Sequence, residues 1–166
     1  MPYRPGFHAT DRRIGAPFAA ILSASIKAGL VGASAITLFV ITAAILEGER
    51  FSVSLDEMLA ILVGIGGGVA MGAIGGAFAV AFYILLFGFP VAVALGDKIR
   101  EGSGAIATAL SCLTAIVIVL LWNDWFDRPE GASYYWSLLI GLSAFAVPAA
   151  YFYRRDVITN LDLIDP

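Results

Sequence analysis

Charge is what this sequence has least of. Asp, Glu, Lys and Arg make up 14% of its 166 residues, against about a quarter in ordinary soluble domains. The formal net charge is only -3. No basic run is present of the kind that tracks a phosphate backbone, which excludes nucleic acid as a partner. A single cysteine, Cys112, excludes an internal disulfide. Set in the run SCLTAIVIVL, it reads as a small packing residue. The one histidine, His8, lies in the N-terminal tail. A bis-histidine haem site cannot form within one chain, and the clustered His and acidic ligands of a membrane zinc hydrolase are missing. No cofactor or metal is expected, and Asp124, Asp127 and Glu130 read as a solvated acidic loop. Inside the apolar segments only Lys27 could serve a hydroxyl as a general base, so the chain does not read as an enzyme.

What is abundant is apolar. Hydrophobic residues reach 60% and the mean hydropathy is +0.88. A soluble chain of this size would leave many of these groups on its surface, so the solvent must be lipid. The sequence predicts an all-α membrane protein, a bundle of four transmembrane helices forming a single integral domain over 1–166. The spans are placed at about 17–46, 58–95, 104–122 and 132–153. Each must be helical, because an isolated strand in lipid leaves its backbone unpaired. Arg12 and Arg13 before an apolar stretch, with Ala33-Ser34-Ala35 beyond, resemble a secretory signal. The apolar run continues past them through Ile41, so the first segment is read as an uncleaved span.

Four spans place both termini on one side. Seven basic residues (Arg4, Arg12, Arg13, Lys98, Arg100, Arg154, Arg155) fall on that side and two (Arg50, Arg128) on the other. The bias predicts an inner-membrane protein with cytoplasmic termini and outer loops at 47–57 and 123–131. Trp122, Trp125, Phe126, Tyr134, Tyr135 and Trp136 flank the second outer loop, where amphipathic rings favour the headgroup layer.

Within LVGIGGGVAMGAIGGAF, Gly64, Gly68, Gly72 and Gly76 recur at every fourth position. On a helix they form one smooth, slowly drifting face, a glycine zipper that admits a second helix closely. The first span carries a matching small-residue row, Ala20, Ala24, Ala28 and Gly32. Lys27 is the only ionisable residue within a span. No span offers it a carboxylate, so it either snorkels to the interface or joins Ser23, Ser34 and Thr37 in a polar stripe. The second span is too long: 58–95 would measure about 57 Å as one helix, against a core of about 30 Å. A kink or break is predicted near Gly88–Pro90, where Pro90 cannot donate and collides with the carbonyl of Leu86.

Two functions follow from these features. The favoured one is a structural or accessory subunit that binds other transmembrane helices through the glycine face, in a homo-oligomer or a larger membrane complex. The alternative is a small oligomeric channel or transporter lined by the Ser23, Lys27, Ser34 and Thr37 stripe.

Overall fold

The computed structural model describes residues 9–46, 54–125 and 132–164, with side chains over 14–46, 54–122 and 134–163. The chain order is α1 (Ala9–Leu46), α2 (Leu55–Tyr83), a π-helical segment (Ile84–Gly88), α3 (Phe89–Leu95), a 3-10 turn (Gly96–Arg100), α4 (Gly102–Trp125) and α5 (Ala132–Ile164). No strand occurs among the described residues. Four segments are long and apolar enough to cross a bilayer: Ile14–Leu46, Leu55–Arg100, Gly102–Trp122 and Tyr134–Leu163. The third has 21 residues, about 30 Å of helix, and so crosses the hydrocarbon with little to spare.

Local chemistry explains where these elements begin and break. Ser54 caps α2 in a reciprocal box, its hydroxyl accepting from the Glu57 N–H while the Glu57 carboxylate accepts from the Ser54 N–H at 2.8 Å. The expected break in the second span is a π-turn. The Phe89 N–H donates to the carbonyl of Ile84, five residues back. Widening the ladder there relieves the conflict between the Pro90 ring and the preceding turn. α3 ends at Gly96, whose φ of 54° and ψ of -126° suit glycine alone, and the chain reverses into α4.

α1 is the centre of the bundle. Along it, exposed and buried residues alternate in pairs from Ala16 to Ala33. One buried row is Ala16, Ala20, Ala24, Ala28 and Gly32, and the neighbouring one is Pro17, Ile21, Ser25, Gly29 and Ala33. Two adjacent rows four residues apart give α1 two packing faces, and α2 and α5 are its main neighbours. Val80, Ile84, Ala92, Ile99, Ala149, Tyr153, Val157 and Leu161 complete the core. These residues lie toward the end that carries the termini. α2 is exposed along almost its whole first half, 55–71, and α1 has no buried residue after Ala33.

The two largest differences from the expected span boundaries are at the start of α1 and the end of α5. α1 is helical from Ala9 and carries Pro17 within it. α5 continues past Tyr153 to Ile164, because Ala149, Tyr153, Val157 and Leu161 keep one buried face turning through the charged stretch.

Candidate functional site

That continuation corrects the reading of Lys27. With the fourth span ending at Tyr153, as charge alone suggests, no span holds a carboxylate to pair with it. In the fold, the Lys27 ammonium donates to both oxygens of Asp156, at 2.7 and 2.8 Å, from α1 to α5. Asp156 is buried and the Lys27 side chain is about half exposed. The pair neutralises two charges that would each be costly in an apolar surrounding.

Further polar contacts fasten the same end of the bundle. Arg154 donates from Nε to the Ile99 carbonyl at 3.0 Å, and from Nη2 to the carbonyls of Arg100 and Glu101 at 3.3 and 3.2 Å. It thereby satisfies backbone acceptors at the turn between α3 and α4, which helix geometry leaves open. Arg100 in turn pairs with Asp162. Asn160 donates to the Ala16 carbonyl at 3.2 Å, fastening the end of α5 to α1. Gly104 lets α4 start against this turn, since a Cβ there would stand 2.5 Å from the backbone of Ile99.

The other members of the polar stripe stand apart. Ser23 and Ser34 are exposed. The Thr37 hydroxyl donates to the Ala33 carbonyl of its own helix at 2.9 Å. None of Ser23, Lys27, Ser34 and Thr37 lines either of the two large grooves described below.

The small-residue rows divide between neighbours. Ala24 and Ala28 are fully buried, and Gly32 lies under the Phe145 ring of α5. Among the glycines of α1, the one set against the backbone of α2 is Gly29, which belongs to the row that sequence reading missed. A Cβ on Gly29 would stand 2.6 Å from the Ala73 carbonyl oxygen and 2.8 Å from the Ala77 nitrogen. Gly72 faces Ala33, and Gly76 faces Phe145. Gly64 and Gly68 meet open space, as do Gly66 and Gly67 beside them. The glycine face is thus divided: its second half is occupied within the chain, and its first half has no neighbour among the described residues.

Grooves open between helices, two of them lined by described residues alone. One, of about 850 Å³, separates α2 from α4 over a floor of α5, with Gly76, Tyr83, Ile116, Leu142 and Phe145 among its walls. The other, of about 620 Å³, runs between α4 and α5. Among the described residues no group of three or more His, Cys, Asp or Glu is placed to hold a metal. Asp124, Asp127 and Glu130 lie outside the described side chains.

Comparison with family models, curated proteins and solved structures finds no match. The fold itself defines the class: four apolar helices, with α2 and α5 packed on α1 and α4 packed on α5, a small multi-pass membrane protein.

Proposed function

We propose that this protein is an accessory subunit that binds another transmembrane helix through the open part of its glycine face. The observation that supports this is the contrast along one helix: Gly72 and Gly76 have neighbours within the chain, while Gly68 and Gly64, about one and two turns before Gly72, have none among the described residues. Lipid tails gain nothing from a groove without side chains, whereas a second helix gains dispersion contacts along its length. The exposed first half of α2 gives such a helix room to lie alongside. In this reading the protein carries out no chemistry, spans the inner membrane and keeps both termini in the cytoplasm, in line with the seven-to-two excess of basic residues on that side.

The test is comparative. The protein is extracted in mild detergent and the intact particle weighed, for wild type, Gly68→Leu and Ala70→Leu. Ala70 is exposed and sits about 200° round the helix from Gly68. A larger particle that dissociates only in Gly68→Leu supports the reading. A monomer in all three overturns it. A symmetric homo-oligomer that survives Gly68→Leu would favour the channel, with Ser23 and Ser34 on the exposed side of α1 turned toward a shared path.

A further inference from the structure

We propose that the groove between α4 and α5 holds a glycerophospholipid with an anionic headgroup, drawn from the leaflet on the side of the termini. The groove has a clear polarity. Its walls are apolar along Leu113, Ile116 and Val147, and it ends at Arg154, Arg155 and Thr159. No acidic residue lines it among the described residues. From Val147 to Arg155 is about 12 Å of helix, so the apolar stretch accommodates the upper part of an acyl chain while the guanidiniums reach the phosphate. The cationic end lies beside the turn between α3 and α4, and the apolar end lies about two turns further along α5 at Val147. A phospholipid in that leaflet has the same direction.

The surrounding contacts keep the cationic end available. Asp156, the carboxylate next in sequence, faces the other way and is engaged by Lys27. Arg154 is held in place by three backbone carbonyls, which bind its N–H groups without cancelling its charge. Arg155 is exposed and makes no ion pair among the described residues. Two guanidiniums without an ion pair among the described residues, beside an apolar groove, select an anionic amphiphile over a zwitterionic one. The inference does not depend on the glycine face, so Gly68→Leu should leave lipid binding unchanged.

The full chain is reconstituted in nanodiscs of equal phosphatidylglycerol and phosphatidylcholine, and the lipid retained on release is measured by native mass spectrometry. Phosphatidylglycerol should be retained preferentially. Arg155→Gln should weaken that retention about fivefold, with phosphatidylcholine unaffected. Ala109→Phe, an exposed position on the groove wall, should displace lipid while the protein stays folded. Lys98→Gln removes an exposed cation outside the groove and should change nothing. Equal retention of the two lipids overturns the proposal. So does an equal loss in Lys98→Gln and Arg155→Gln, which would mean general surface charge. Displacement of the lipid by inorganic phosphate alone also overturns it, since the acyl chain would then contribute nothing.

Discussion

Lys27 and Asp156 are separated by 129 residues of chain, yet the ammonium touches both carboxylate oxygens. The contact ties the first transmembrane helix to the last. Removing one partner of a fully buried pair costs about 3–5 kcal/mol. With the two side chains 45% and 12% exposed, Lys27→Met or Asp156→Asn should cost about 2–3 kcal/mol, measured as a lower melting temperature in detergent. The double variant Lys27→Met with Asp156→Leu should recover part of the loss, because no orphaned charge remains. A double variant at least as unstable as the sum of the singles would show that the pair is not the unit of stability.

The approach of α1 to α2 depends on Gly29. Gly29→Ala puts a methyl against the backbone of Ala73 and Ala77, neither of which can yield as a side-chain tip would. A loss of about 1–3 kcal/mol is expected. Gly15→Ala, on the same helix with nothing near its Cβ position, should be neutral or slightly stabilising. Thermal melts of the two variants side by side decide this.

Gly96 turns the chain between α3 and α4 with a positive φ. Any L-residue there is strained, so Gly96→Ala should destabilise by about 1–2 kcal/mol. Limited proteolysis at the turn should speed up accordingly, while unchanged cleavage would mean the turn adapts without cost.

The Tyr153 hydroxyl is buried without a hydrogen-bond partner among the described residues. Such a group carries an uncompensated desolvation penalty. Tyr153→Phe keeps the ring that packs beside Gly88 and Ile84 and removes the oxygen. It should therefore raise stability by about 1 kcal/mol. A clear drop would reveal that the hydroxyl has a partner in the membrane.

The proposed orientation rests on the charge bias. A reporter fused after Pro166 should be active only in the cytoplasm, and one inserted at Ser54 only outside. The reverse at either site contradicts the proposed orientation.

Much of the architecture was legible in the sequence. Long uncharged runs mark helices in lipid because the backbone has no other way to satisfy itself there, and Pro90 marks a break because it lacks a donor. The length of α5 was not legible from charge alone. Arg154, Arg155 and Asp156 look like the end of a span, but the recurrence of Ala149, Tyr153, Val157 and Leu161 shows the helix continuing, and that signal was available.

The sequence by itself determined the solvent, the number of crossings and the place of the break, since these follow from summed hydropathy and from backbone chemistry at single residues. The tertiary structure decided which surfaces meet. In lipid, one apolar helix face is as well solvated as another, so hydropathy does not choose among them. Shape does: Gly29 against Ala73 and Ala77, Gly32 and Gly76 against Phe145, while Gly64 and Gly68 are left open. The pairing of Lys27 with Asp156 likewise depends on how α1 and α5 register side by side, which no local property of either segment specifies.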